Sequence, residues 1–474
     1  SMSTQVDKMW SRRWPIVISA ANAIYALDVI AETTKEEEML DEIERLKGEA
    51  CFIRAMVMME LTMYWGEVPV VDIATMNNSA RQPLEKVWKQ IIDDFTFASV
   101  SLKDRYTESA DKMRATSGAA LAMLGKAYMS VPVETGMRDF KLAKESFEAM
   151  LDRYQLDSEY SNLFDENLEF NSPESIFELD YDNVNRINHW EFDMGSRTVV
   201  ATFGEGCYFA GYDVALPTEY AYKSKSEGGI WEEGDLRRDE SIRYDFTYLG
   251  ITPTEVSWGA DELDPHIKKY EDERTDQFNG NLANEWYSGK NFIVLRYADV
   301  LLCYAECLNE LGETGEANTV VNQVRARAWG GTLPNEMAWN YGQDEFRVQI
   351  MDERIRELCF EGWRRMDLIR TGKFVELIKE RNPWAKKSGT IKEFHMRWPI
   401  PDTEIKNKNV NINEENEGNI WIRRNVRQSY YLPVRGNVWE ALYKNSILNY
   451  PENQSFFILW MHFKNPRSSM ILYL

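Results

Sequence analysis

The stretch "DERIRELCFEGWRRMDLIRTG", Asp352 to Gly372, holds five acids and five arginines. These are the residue types that bind a metal ion or grip a phosphate. A metal site needs its carboxylates uncommitted, and a phosphate site needs its guanidinium groups uncommitted. Read as about six helical turns, the segment sets each charge opposite a partner three or four residues away. Glu353 faces Arg356, Arg354 faces Glu357, and Glu361 faces Arg364 and Arg365. Ile355, Leu358 and Cys359 recur at helical spacing as a narrow buried stripe. Such pairing predicts a scaffold helix rather than a reactive centre.

The other reactive residue types are sparse. Cys51, Cys207, Cys303, Cys307 and Cys359 form no CxxC pair and are odd in number, so neither a zinc module nor a disulfide framework is expected. Cys303 and Cys307, one helical turn apart, read as core. His189, His266, His395 and His462 lack HExxH spacing, which argues against a zinc hydrolase. "GEG" at Gly204 to Gly206 lacks the third glycine and the flanking strand and helix of a dinucleotide loop. No complete EF-hand spacing occurs, and no metal or cofactor is expected.

Charge narrows the ligand classes. A formal net charge of −22 disfavours nucleic acid and anionic membranes, and mildly disfavours sulfated or uronate-rich glycans unless a local basic patch overrides it. Aromatic residues reach 13%, with 16 tryptophans and 23 tyrosines, more than packing alone requires. Flat rings on a polar surface are what sugar recognition uses.

The elements that position these residues are mainly helical. The chain has 474 residues, 44% apolar and 28% charged, enough for two or more structural units or one repeat array. "WPIVISAANAIYALDVI" (Trp14 to Ile30) predicts a helix with Pro15 in its first turn. A longer helix follows, with Leu40, Ile43, Leu46, Ala50, Ile53, Val57 and Leu61 on one face and a stop at Gly66. More hairpins are expected from "PLEKVWKQIIDDFTFASVSL", "TSGAALAMLGKAYMSV" and "DFKLAKESFEAMLDRY", and later from "RYADVLLCYAECLNELG" with "TGEANTVVNQVRARAWG". Small residues such as Ala119, Ala122 and Gly125 suit stacked helix pairs. No stretch reads as the roughly 20 apolar residues that cross a bilayer.

Between residues 158 and 292 helical periodicity fades and Gly, Pro, Asp, Asn and aromatic residues dominate. A long irregular insertion of this kind is usually functional. The organisation expected is helical hairpins over 1–157, an irregular aromatic-rich part over 158–292, helical hairpins over 293–418 and an atypical tail over 419–474. From Ile420 to Leu474 seven basic and two acidic residues give that tail a net +5.

Four segments, taken in order, resemble the SusD/RagB family of surface glycan-binding lipoproteins from Bacteroidetes-type bacteria. They are "GEACFIRAMVMMELTMYWGEVPVV" (Gly48 to Val71), "LPTEYAYKSKSEGGIWEEGDLRRDESI" (Leu216 to Ile242), "NFIVLRYADVLLCYAECLNELGETGEANTVVNQVRARA" (Asn291 to Ala328) and "DERIRELCFEGWRRMDLIRTGKF" (Asp352 to Phe374). "WPIPDTEIKNKNVNINEENEG" is similar to the family's closing stretch, so the resemblance covers about Trp10 to Gly418. It implies a mainly α fold, a superhelix of tetratricopeptide-like hairpins with a long irregular, loop-rich insertion that carries much of the ligand site. It also implies that the chain begins inside the domain, without the family's signal peptide, lipidated cysteine and preceding N-terminal region.

The function implied is non-catalytic. An oligosaccharide or polysaccharide would be captured at the cell surface, on a protein lipid-anchored to the outer membrane, and passed to a SusC-like TonB-dependent transporter. An aromatic ring supports the C–H face of a pyranose, and Asp, Asn and Arg bind its hydroxyls. In the irregular part the candidate rings are Trp190, Tyr208, Tyr212, Trp231, Trp258 and Trp286. The candidate polar partners are Arg197, Asp213, Asn279 and Asn281. No family motif fixes these residues individually. Trp65 and Trp363 lie in helical motifs and are assigned to packing. Two alternatives stand beside this reading. One is an α-helical glycoside hydrolase with carboxylates among Glu205, Asp213, Glu232, Glu233 and Asp235. The other is a helical-repeat scaffold that binds peptides in its groove.

Overall fold

Five helices follow one another from the N-terminus of the computed structural model, which describes residues 2–71, 73, 80–108, 111–168, 171–182, 188–204, 206–244, 250, 265–279, 288–401 and 404, with backbone alone at 2–5, 201–202 and 279. They are α1 (Met2–Thr33), α2 (Glu37–Trp65), α3 (Leu84–Ser101), α4 (Ser117–Ser130) and α5 (Phe140–Glu148), each packed on the next. Together with the segment that begins at Phe394 they form one of two compact units; the other is built from Leu151–Glu393. The tail expected over 419–474 lies outside the described residues.

α1 departs from expectation at both ends and at Pro15, which lies in the helix interior rather than in its first turn. An interior proline forfeits a backbone hydrogen bond and costs about 3 kcal/mol. Burial on both sides of it holds the helix together, through Met9, Trp10 and Trp14 before and just before the proline and Val17 and Ile18 after it. Over Val6–Thr33 the helix is also long and apolar enough to cross a membrane by length and composition, which the sequence reading missed. In this unit it packs on α2, and Arg13, 1% exposed, pairs with Glu60 of that helix.

α2 stops at Gly66 as expected, where φ is +76° and the backbone N–H donates to Thr62 O at 2.8 Å. Trp65 is core. It stands edge-on to Trp10 at 5.2 Å and to Trp398 at 5.5 Å, and its Nε1 donates to Pro399 O at 3.0 Å. α2 and α3 are tied by Arg54, whose Nε and Nη2 each donate to Asp94 at 2.7 Å. α4 starts at Thr116, whose side chain accepts from Ala119 N, and α5 at Asp139, which accepts from Lys141 N and Leu142 N. Ala119, Ala120, Ala122 and Ala127 are fully buried, and Gly125 lies against the ring of Phe147, where an added Cβ would come within 2.5 Å.

In the second unit, β1 (Ser175–Leu179) pairs antiparallel with β4 (Phe292–Arg296), and β2 (Ile242–Arg243) with β3 (His266–Ile267). Short helices α6 (Trp190–Met194), α7 (Arg197–Phe203), α8 (Glu219–Tyr222) and α9 (Arg237–Ser241) punctuate the stretch between β1 and β4. β4 runs directly into α10 (Tyr297–Glu310), which forms a hairpin with α11 (Thr314–Ala328) and also packs on α12 (Gln343–Leu358). α13 (Arg364–Arg370), α14 (Phe374–Arg381) and α15 (Pro383–Ser388) complete the unit. Cys303 and Cys307 are buried in α10, and all five cysteines are thiols.

The segment Asp352 to Gly372 is scaffold, but not through the local pairs its spacing suggests. α12 ends at Leu358, and Phe360 (φ +67°) and Gly362 (φ +91°) turn the chain before α13 begins. The turn sends Glu361 to Arg296 (2.7 Å) and Lys269 (2.7 Å), away from Arg364 and Arg365. Glu357 pairs with Arg237 (2.8 Å), Arg327 (2.5 Å) and Arg296 rather than with Arg354, which binds Asp299 and Asp367, each at 2.8 Å. Of the expected pairs, Glu353–Arg356 at 2.7 Å is present, and Glu353 also meets Arg237 and Arg325, each at 2.8 Å. Local pairing describes a solvated helix face. Here Glu353, Arg354, Arg356 and Glu357 are all 2% exposed or less, and Glu353, Arg354 and Glu357 each draw ion partners from another segment, while Arg356 also donates to Ile230 O.

Burial opposes ionisation of Glu353 and Glu357. Arg237, Arg356 and Arg325 around the first, and Arg327, Arg296 and Arg237 around the second, outweigh it and hold both carboxyls well below the ordinary 4.5. Their contribution to stability is therefore complete above about pH 4.5 and lost as pH falls through the folded values. Glu191 acts in the opposite sense, since its burial raises its carboxyl well above 4.5. Thermal midpoints measured from pH 7 downward are expected to stay level or rise slightly to about pH 5, then fall steeply below about 4.5. Glu353→Gln is expected to lower the neutral-pH midpoint and blunt the acid-side fall.

Packing at Gly125 gives a second expectation. Gly125→Leu forces the α4–α5 contact apart and should cost about 1–3 kcal/mol. Gly315→Ala, where an added Cβ meets nothing within 4 Å, should be neutral or stabilising by up to about 1 kcal/mol. Denaturant unfolding of the two variants checks the contrast.

Candidate functional site

The irregular stretch of the second unit is organised around a small core of Val199, Cys207, Phe209 and Ala210, with Val200, Phe203 and Tyr208 packed against it. Residues 209–214 are laid along α6 and the turn into α7 by backbone bonds. Ser196 N donates to Phe209 O, Gly211 N to Ser196 O, Tyr212 N to Phe192 O and Asp213 N to Gly195 O, at 2.8–3.0 Å. Two glycines permit this crossing, since a Cβ at Gly195 would meet Ala210 O at 2.4 Å and one at Gly211 would meet Phe192 O at 2.2 Å.

The crossing presents Tyr212, 40% exposed, with its ring edge-on to Phe192 at 4.4 Å. Arg197 braces it from α7, donating from Nη2 to Tyr212 O at 2.7 Å and from its backbone N to Asp213 Oδ1 at 3.0 Å. Asp213 adopts φ +51° and is further held by His266 Nε2 at 2.5 Å. His266 lies opposite Arg243 in the β2–β3 pair. Arg243 spans the small core, 4.3 Å from the ring centroid of Phe209, and joins Glu271 (2.5 and 2.6 Å) and the Tyr208 hydroxyl (3.3 Å). Burial, with Glu271 nearby, pushes the Tyr208 hydroxyl up to about 12, so it is a neutral donor at physiological pH. Phe278, 48% exposed, packs edge-on to Phe203 of the same core.

Four of the expected residues are thus brought together: Tyr208, Tyr212, Arg197 and Asp213. Two are not, because they are packing residues. Trp190 is 6% exposed, stacked on Phe292 at 4.9 Å and tilted against Tyr270 at 5.1 Å. Trp231 is 1% exposed, enclosed by Ile230, Ile242, Ile355 and Cys359, and donates from Nε1 to Ala221 O at 2.5 Å. Neither ring can receive a ligand on its face. Trp258, Trp286, Asn281 and Glu205 lie outside the described residues, and Asn279 is described through its backbone in the 3-10 turn Gln277–Asn279. Arg243, His266 and Phe278 escaped the sequence reading. A cross-strand pair of two residues per strand leaves no periodic signal, and an isolated Phe in a loop has none.

The arrangement offers an exposed ring beside fixed donors and acceptors. Of the hydrolase candidates, Glu232 meets Lys225 (2.6 Å) and Arg325 (2.7 Å). Burial raises its carboxyl, but Arg356, Arg325 and Lys225 outweigh that and lower it, the wrong direction for a general acid. Asp235 is buried against Arg237 at 2.7 Å, Asp213 is held as above, and Glu233 is exposed.

Residues 173–446 match the family model described as the SusD family, and residues 3–129 match a second, described as starch-binding associating with outer membrane. The chain belongs to the SusD family. The match to residue 446 runs past Gly418, where the sequence resemblance was read to end. SusD-like protein P2 of Formosa agariphila is 29% identical over 77% of this chain and 71% of its own length. The starch-binding protein SusD of Bacteroides thetaiotaomicron is 24% identical over 80% of this chain and 74% of its own. A laminarin-binding SusD-like protein of known structure shares the fold, with a TM-score of 0.62 at 23% identity over 81% of each chain. The helical-hairpin superhelix with an irregular part is the SusD fold, as the resemblance implied.

Burial separates the two aromatic sets by experiment. Trp231→Ala is expected to cost about 3–5 kcal/mol of stability, whereas Tyr212→Ala, at the surface, should stay within about 1 kcal/mol. Urea unfolding midpoints of the two variants test this.

Proposed function

We propose that this SusD-family chain captures an oligosaccharide or polysaccharide without cleaving it, at the exposed surface that Tyr212 dominates. The observation that carries the reading is the Tyr212 ring held beside Arg197, Asp213 and His266, whose positions are set by hydrogen bonds before any ligand arrives. A pyranose C–H face would rest on Tyr212, and its hydroxyls would exchange hydrogen bonds with Arg197 and Asp213. Starch binding by one relative and laminarin binding by another support a glycan as the ligand class.

The wider setting is proposed on the family's terms. The protein would act at the outer membrane, exposed on the cell surface through a lipid anchor, and hand its glycan to a SusC-like TonB-dependent transporter. The outer-membrane association carried by the family description supports this location. Trp258, Trp286, Asn279 and Asn281 remain proposed glycan contacts.

A panel of α- and β-glucans and other neutral glycans, titrated by calorimetry beside a product assay on the same sugars, tests the reading. Binding without products is expected, with Tyr212→Ala weakening affinity by about tenfold or more, since one stacked ring is worth roughly 1–3 kcal/mol. Release of reducing ends by the wild type would replace this reading with a hydrolase.

A further inference from the structure

The first unit contains a cleft of about 500 Å3 between the N-terminal half of α2 and the connection from α3 to α4. Glu42 and Arg45 on α2 line it together with Lys103, Tyr106, Asp111 and Arg114 from the connection. The volume suits one or two sugar rings. Leu46 and the ring of Tyr106 supply its apolar part.

Its polar groups are fixed from below. Glu49, fully buried, accepts from Arg114 Nη1 at 2.6 Å and from the Tyr106 hydroxyl at 3.3 Å, and it also pairs with Arg45. Arg45 further donates from Nε to Glu42 at 2.7 Å, and Arg114 from Nε to Asp111 at 2.8 Å. Both guanidinium groups are thereby locked between carboxylates. Glu49 Oε2 is buried with no hydrogen-bond partner among the described residues. Glu42 and Asp111 are partly exposed, at 53% and 37% of their side chains, and retain lone pairs beyond those the arginines take.

Lys103 differs from its neighbours. It is exposed, its ammonium lies 5.8 Å from the Tyr106 ring centroid, and among the described residues it makes no ion pair. Arg45, Arg114 and Lys103 balance Glu42, Glu49 and Asp111, so the cleft is locally neutral on a chain of net charge −22. An anion repelled elsewhere is not repelled here, and the uncommitted ammonium attracts it. The remaining acceptors match hydroxyl donors.

We propose that this cleft is a second binding site, which takes a single pyranose ring bearing one carboxylate, a uronic acid residue. Its carboxylate meets Lys103, its hydroxyls donate to Glu42 and Asp111, and its C–H face lies on Leu46 and Tyr106. The proposal goes beyond neutral-glycan capture at Tyr212 and uses no residue of that surface.

Calorimetric or ligand-observed NMR titration of the whole chain with glucuronate and galacturonate, with glucose as the neutral control, tests it. Uronate is expected to bind more tightly than glucose, and Lys103→Gln, an exposed change that spares the fold, should weaken uronate by about tenfold while leaving glucose unmoved. Asp111→Asn should weaken both sugars. The uronate titration of Tyr212→Ala should follow the wild type, so failure at one surface is distinguishable from failure at the other. Absence of uronate binding to the wild type, an unchanged affinity in Lys103→Gln, or loss of uronate binding in Tyr212→Ala would each overturn the proposal.

Discussion

Charge buried in α12 constrains the second unit more than any other interaction. Glu353 and Glu357 are wholly removed from water, and an isolated carboxylate there would cost many kcal/mol. Their cations come from separate segments: Arg237 from α9, Arg296 from the end of β4, and Arg325 and Arg327 from the last turn of α11. Glu174, just before β1, and Glu232 close the set through Arg296, Arg327 and Arg325. Such a network adds little net stability over a well-packed apolar core. Its effect is on register, because a shift of β4 or α9 by one residue would strand a buried charge.

That constraint reaches the irregular stretch, which has little regular structure to hold it. Arg237 anchors α9 to Glu353 and Glu357 of α12, and β2 begins where α9 ends, so Ile242 and Arg243 have their place set by buried ion pairs. Trp231 closes the same region from the apolar side, against Ile242, Ile355 and Cys359. Arg243 then braces Tyr208 and lies across from His266, which holds Asp213 beside Tyr212. A chain of fixed contacts thus connects a buried helix to an exposed ring. This is how a surface made of loops comes to be pre-organised, and pre-organisation lowers the entropy cost of binding a flexible glycan.

The sequence carried the helical half well and the irregular half poorly, for one reason. Helix periodicity, Gly66 as a stop and the alanine face of α4 are local signals, and α2 and α4 appear where they predict them, while α1 runs longer at both ends. The equal count of acids and arginines in Asp352 to Gly372 was legible as pairing, but the partners were not. Spacing rules describe one helix surrounded by water, and this one is covered by distant segments. Composition likewise identified an aromatic-rich region without separating the exposed Tyr212 from the buried Trp231. In a loop no period tells inside from outside, and a large apolar ring beside a family motif is most often core. Pro15 sits inside α1 rather than at its start because tertiary burial on both sides of it overrides local propensity.

The same reasoning separates the two kinds of charge cluster in this molecule. Around Glu357 each charge is paired with opposite charges and removed from solvent, so the cluster holds the fold together. Around Tyr106 the arginines are saturated, while Glu42, Asp111 and Lys103 stay in contact with water and keep bonding capacity. A binding site needs both properties at once: groups fixed by internal bonds, and unsatisfied valence facing outward. Tyr212 with Asp213 and Arg197 combines them on the second unit, as the α2 cleft does on the first. The number of charges on a segment is therefore a weaker guide to function than how many of them still have something left to bond.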